Sequence, residues 1–188
     1  MHEIEPFYNW EKLYIAAEDR KSPFYGRDYN FNQYEHDIYG YYIHPLWDNI
    51  ESETLYVKIL FADYRKKFVI IELFGEWNDT LHNDIMYLKR NVIDHLLEQG
   101  IRYFVLVAEN IFNFHGGDDE YYAEWFDEIE DGWVAIVGSH PHVEREWTRY
   151  RLDYYLNFGG TLHLDNWRTL QPQPFYELVK ALIVRRLM

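Results

Sequence analysis

The chain contains no cysteine among its 188 residues. That excludes disulfides, thiolate nucleophiles, zinc–thiolate sites and iron–sulfur clusters, and with them the usual framework of a small secreted domain. Long hydrophobic runs are missing too. The longest, such as Phe68-Val69-Ile70-Ile71, are strand-sized, far short of the roughly 18 residues a membrane helix needs. The opening Met1-His2-Glu3-Ile4-Glu5-Pro6 has neither the basic nor the apolar region of a signal peptide, so a cytoplasmic location is expected. Positive charge is scarce: 18 Lys and Arg stand against 32 Asp and Glu, a formal charge of −14. A field of that sign repels phosphate backbones and anionic lipid, so neither nucleic acid nor a membrane surface is an expected partner. A basic partner or a cation is favoured, although solubility alone would also account for the charge.

Aromatic residues, by contrast, make up 20% of the chain, with 18 Tyr among them. Tyr pairs a large apolar face with a polar tip and suits wet surfaces as well as cores. The length fits one domain with a self-sufficient core. Residues 1–50 read as an aromatic-rich N-terminal extension packed on the remainder, and residues 51–188 as an α/β domain. Phe7, Trp10, Tyr14 and Ile15 fall at helical spacing before Pro23. The Tyr- and Asn-rich stretch that follows, 24–42, is expected as irregular structure or an edge strand.

From residue 55 the signals sharpen. Residues 55–62 and 67–74 read as strands joined by a hairpin turn at 63–66. Residues 84–99 read as a helix with the stripe Ile85, Leu88, Val92 and Leu96, closed by Gly100. Residues 102–108 form a continuous apolar run, the mark of a strand covered on both faces. A helix over 118–130, a buried strand over 133–137 and a helical stripe through Val143, Trp147, Tyr150, Tyr154 and Phe158 follow. A short strand is expected over 161–165, and Pro174 is placed to open a last helix. The expected fold is α/β: a mostly parallel sheet of about five strands with an antiparallel opening hairpin, in the order β-β-α-β-α-β-α-β-α.

This order, with particular residues, resembles the STAS or anti-sigma-factor-antagonist family over residues 68–183. The residues carrying the likeness are the strand Val69-Ile70-Ile71-Glu72-Leu73-Phe74 ending in Gly75-Glu76 and the helix closing on Glu98-Gln99-Gly100 before Phe104-Val105-Leu106-Val107. Val134-Ala135-Ile136-Val137-Gly138-Ser139 ahead of Pro141 completes it. The resemblance implies a small regulatory module that docks a partner protein. Phosphorylation-regulated members carry Ser or Thr at the start of the helix after the third core strand. Here the corresponding stretch, 109–120, contains neither, so no phosphosite is transferred.

Ser139-His140-Pro141-His142 follows a strand, where two neutral imidazoles one residue apart could reach a divalent metal at the ligand crevice of an α/β sheet. His115 and Asp118, within His115-Gly116-Gly117-Asp118-Asp119-Glu120, would lie on the same rim. Together His140, His142, His115 and Asp118 make the ligand set of a metal-dependent hydrolase of phosphoesterase type. The plainer reading is that Ser139 or His140 caps the next helix with Pro141 in its first turn, and that the acids offset a helix dipole. Glu76-Trp77-Asn78-Asp79 could add a carboxylate, or Asn78 or Asp79 an N-cap. No P-loop, dinucleotide fingerprint or nucleophile elbow is present. The expectation is a non-enzymatic regulatory or interaction domain without a cofactor, engaging a protein partner or itself. The metal-dependent hydrolase and a small-ligand binder with a Tyr- and Trp-lined cleft stand as alternatives.

Overall fold

The computed structural model describes residues 2–188; Met1 and the side chains of His2, Glu35, His36 and Asp37 lie outside the described residues. Two sheets organise the chain. The main one runs in the order β4 (Asp48–Asn49), β5 (Leu55–Asp63), β6 (Phe68–Asn78), β7 (Tyr103–His115), β8 (Trp133–Val137). A smaller one places β3 (Tyr41–Ile43) between β1 (His2–Ile4) and β2 (Glu35–Ile38).

The expected hairpin is present: β5 and β6 pair antiparallel around residues 63–67, where Asp63 Oδ1 accepts the Arg65 and Lys66 N–H groups. The sheet is mixed, however, rather than mostly parallel. β4–β5 and β5–β6 are antiparallel, while β6–β7 and β7–β8 are parallel. The reason is that the fifth strand comes from before the hairpin, as β4, and not from after β8. The expected strand at 161–165 is replaced by a 3₁₀ turn, Gly160–Leu162. Its place beside β8 is taken by Asn157, whose backbone exchanges bonds with Ile136 (2.7 Å) and Val134 (2.9 Å). That plug closes an edge otherwise open to intermolecular pairing.

β6 and β7 also run further than their apolar cores suggest, and stay in parallel register to Asn78 and His115. Gly75-Glu76 thus lies inside a strand and is not its end, and the bulge opposite it is on β7, where Phe112 is the extra residue. Gly75 sits at φ +117, and the pairing with β7 shifts register between Gly75 and Glu76.

The helical layer follows the periodicity with three departures. Residues 84–98 are helical, but as α1 (Asp84–Leu88), a π-helical turn (Lys89–Ile93) and α2 (Asp94–Glu98). α3 (Glu120–Glu128) and α5 (Pro172–Leu187) form as expected, α5 opening at Pro172 rather than Pro174. The long stripe through Phe158 breaks: α4 (Pro141–Arg149) ends where Arg151 adopts φ 60, and Tyr154 is left in a 3₁₀ turn. Phe7 to Ile15 form turns rather than a helix, with a short 3₁₀ segment only at Ala16–Glu18.

Strand alternation sorts the core by sheet face. On one face Val69, Ile71 and Leu73 of β6 meet Leu88, Val92, Trp125 and Trp147 from the helices. On the other, Phe68 and Ile70 meet Phe175, Val179 and Ile183 of α5 together with Trp10 and Trp167. A third cluster, Ile43, Trp47, Tyr56 and Phe74, joins the small sheet to the same face further along. Residues of the first fifty enter all three clusters.

Candidate functional site

At the strand ends, His140 and His142 come together, with ring centroids 5.6 Å apart. Each is tethered to the extension of β7: His140 Nε2 lies 2.7 Å from the Glu109 carbonyl and His142 Nε2 2.7 Å from that of Phe112. A carbonyl only accepts, so both Nε2 atoms carry the proton, and each neutral ring keeps only Nδ1 as a ligand atom. His140 occupies the N-cap position of α4 without a side-chain capping bond, and Pro141 takes the first turn. His115 does not join them. Its Nε2 lies 3.3 Å from Glu76 Oε1 and 3.2 Å from Asn113 Nδ2. Asp118 Oδ1 instead accepts the Glu120 N–H at 3.3 Å, at the start of α3.

Among the described residues, the carboxylate or imidazole group with metal-like geometry is Asp94, Glu124 and Glu128, which includes none of those four. It already holds cations. Lys89, wholly buried in the π-helical turn, donates to Asp94 and to Glu128 (2.6 Å). Arg90 forks onto Glu124 at 2.7 and 2.8 Å. Burial alone would depress the Lys89 ammonium, but the bonds to Asp94 and Glu128 outweigh it and hold its pKa above the ordinary value. Each of the three acids is therefore already paired with a cation from within the chain.

Two buried aspartates fix the β6–α1 loop. Asp79 accepts from the Ile85 N–H (2.8 Å), Trp77 Nε1 (3.0 Å) and the Tyr122 hydroxyl (2.5 Å). It thus caps α1 from a distance, while Asn83, the positional N-cap, makes no side-chain bond. Asp84 reaches back to the Asn78 N–H (2.7 Å), Ser52 (2.5 Å) and Thr54 (2.8 Å). Burial is the largest influence on Asp79 and raises its pKa to about 7 despite those three donors.

A polar seam crosses the α5-bearing face between the two apolar clusters. Lys58 and Glu72 are register partners on β5 and β6. Glu72, 1% exposed, accepts the Phe7 N–H at 2.7 Å and faces Asn110 Nδ2 at 3.4 Å. Burial pushes its pKa up to about 7. Beyond it, Glu109 accepts from Trp167 Nε1 (2.8 Å) and pairs with Arg168 (2.6 Å). At the other end Asp48, fully buried, accepts from Tyr29 (2.6 Å) and Arg27 (3.2 Å). The sequence reading missed this seam, yet a signal was available. Lys58 and Glu72 are each a lone charge inside an apolar strand run, and such a residue is buried only with a partner or a task.

The exposed aromatics form a further feature. Phe126 of α3 is 40% exposed and Tyr154 72%, yet they touch each other and Tyr155, with ring centroids 5.6, 5.8 and 5.1 Å apart. Carboxylates surround them. Tyr155 donates to Asp119 at 2.7 Å, and Asp119 and Asp127 lie close enough to help raise its pKa to about 12, the Asp119 bond being the main cause. Residues 118–131 carry eight Asp and Glu, and no Lys or Arg occurs between Arg102 and Arg145.

No helix of the described residues is long and apolar enough to cross a membrane. No protein-family profile matches the chain. No curated protein matches it. Solved structures do. The Bacillus cell-fate determinant SpoIIAA in its phosphorylated form is 14% identical over 56% of this chain and 92% of its own, with a TM-score of 0.39. SpoIIAA in its unphosphorylated form gives 14%, 55%, 89% and 0.39. A protein described as a candidate anti-sigma factor antagonist from Thermotoga maritima is 21% identical over 56% of this chain and 86% of its own, with a TM-score of 0.41. The group these matches name is the one that the strand and helix pattern of residues 68–183 resembles.

Proposed function

We propose that the chain is a non-enzymatic interaction domain of regulatory type that docks a basic protein segment on the outer face of α3. The carrying observation is the cluster of exposed Phe126 and Tyr154 with half-buried Tyr155, set against the acidic residues 118–131, which contain no Lys or Arg. Aromatic rings exposed as a group supply the anchors from which most interface energy comes. The surrounding negative field selects for Lys and Arg, speeds encounter, and adds cation–π attraction at the rings. The anti-sigma factor antagonists resembled in the structural comparison suggest a regulatory setting for such docking. At the strand ends, the chain's own carbonyls and acids engage the imidazoles, which gives the hydrolase reading no observation to favour it.

The variant Phe126→Ala/Tyr154→Ala tests this. Both side chains are exposed, so each change is expected to alter stability by only about 0.5 kcal/mol or less. Affinity capture from the source cell's extract should return a partner with the native chain at low salt, lose it with the variant, and weaken steeply by 0.5 M NaCl. Equal capture by native chain and variant, or capture indifferent to salt, would rule the face out.

A further inference from the structure

A cavity of about 200 Å³ lies where the outer edge of β5 runs past the end of β4. β4 pairs only with Tyr56 and Val57, so the edge beyond them has no strand partner among the described residues. The N-terminal segment roofs it instead. That roof is pinned by the Phe7 N–H to Glu72 (2.7 Å), by Trp10 Nε1 to the Leu170 carbonyl (3.1 Å) and by the Tyr14 hydroxyl to Asp19 (2.7 Å). Phe7, Trp10, Tyr14, Ile15 and Leu60 give the cavity carbon-rich walls, and Lys58 brings an ammonium to it.

That ammonium is poorly provided for. The Lys58 side chain is 15% exposed, and its Nζ stands 3.8 Å from Asp48 Oδ2, beyond hydrogen-bond reach, and 4.3 Å from the centre of the Tyr29 ring. No acceptor bonds it among the described residues, and Asp48 Oδ2 is likewise a buried oxygen without a hydrogen bond. Lys58 Nζ and Asp48 Oδ2 thus pair electrostatically across 3.8 Å without a hydrogen bond, which leaves the ammonium's donors free for an acceptor in the cavity. Arg27 adds positive charge nearby, and Asp48 and Glu11 oppose it, so the surroundings are close to balanced before a ligand enters.

We propose that this cavity binds a small monocarboxylate with a compact apolar body, its carboxylate accepting from Lys58 Nζ and its body lying against Phe7, Trp10 and Leu60. The class follows from the lining: carbon walls beside an ammonium that makes no hydrogen bond read an apolar body with an anionic head, and Glu11, also in the lining, limits that head to a single charge. The size follows from the volume, which is below the roughly 300–1,000 Å³ of drug-sized sites. The cavity lies beside β5 and away from α3, so its occupancy and docking on Phe126 and Tyr154 can fail independently.

The test is a ¹⁵N NMR titration of the intact chain with phenylacetate, and with phenylacetamide as the uncharged isostere. Saturable shifts are expected at Tyr14, Ile15, Lys58 and Leu60 with the acid, and binding weaker by roughly ten- to a hundredfold with the amide, as for a lost charge-assisted bond. Lys58→Met, which keeps the aliphatic stem, should lose the acid, while Lys58→Arg should retain it. No saturable binding to the native chain, equal affinity for acid and amide, or native affinity in Lys58→Met would each overturn the proposal. If Lys58→Met does not fold, the comparison of acid with amide in the native chain and in Lys58→Arg decides.

Discussion

Replacing Gly75 with alanine is expected to lower stability by about 4 kcal/mol, the sum of backbone strain and overpacking on the order of 1–3 kcal/mol each. Gly75 sits at φ +117 inside β6, a conformation that residues with a Cβ rarely adopt. A methyl group there would lie 2.1 Å from the Thr54 carbonyl oxygen. That oxygen cannot move away cheaply, because it accepts the Glu76 N–H at 3.0 Å and holds the segment before β5 against β6. In a domain of this size the loss corresponds to roughly 8–16 °C in melting temperature. Gly26 provides the control. It has a positive φ as well, +76, but nothing within 4 Å of the added methyl, so Gly26→Ala should cost only about 1 kcal/mol. Thermal melts that place the two variants at equal cost would show that the close approach of Thr54 to Gly75 does not govern this part of the sheet.

Glu72→Gln is expected to stabilise the chain at pH 8 by about 3 kcal/mol and to leave it nearly unchanged at pH 5, taking 1.36 kcal/mol per unit of pKa. Burial raises Glu72 from the ordinary 4.5 to about 7. An acid with a raised folded-state pKa binds more protons folded than unfolded between those two values. Its favourable contribution is therefore complete below pH 4.5 and is lost as pH rises through 7. Asp79, raised to about 7 by the same cause, adds a second loss over a similar window. Burial raises Asp48 and Asp84 as well, so the native chain should weaken as pH rises on account of several carboxylates, and Glu72→Gln on account of one fewer. The amide can still accept the Phe7 N–H that Glu72 now accepts. Urea melts between pH 5 and 8 measure the difference, and parallel curves for native chain and variant would mean that Glu72 is ionised without penalty.

Much of the α/β layout could be read directly, because it rests on local periodicity. The hairpin, the stripe through Ile85, Leu88, Val92 and Leu96, the buried run of β8 and the Pro-opened α5 are all present. What escaped was decided by long-range partners. Asn110 and Asn113 break the apolar pattern of β7, yet pairing with β6 carries the strand through them to His115. The segment at 161–165 has no edge to join, since Asn157 occupies it. Tyr154 continues a helical spacing that the left-handed Arg151 interrupts, which turned a surface ring into an apparent core residue. The seam is tertiary by construction: β5 and β6 each contribute one charge to it, and only register sets Lys58 beside Glu72. Of the rim residues, His140 and His142 adjoin because they share a turn, whereas the partners of His115 and Asp118 depend on how Glu76 and α3 pack.

Docking on the outer face of α3 can be read out by placing a photo-crosslinking amino acid at Tyr154 and, in a separate chain, at Leu178 of α5, which is also exposed. Both chains would be irradiated in the source cell, and the crosslinked segment identified. An adduct is expected from position 154 to a Lys- or Arg-rich segment of one partner, diminished by Phe126→Ala and not formed from position 178. Adducts of equal yield from both positions, or a contacted segment without basic residues, would contradict it.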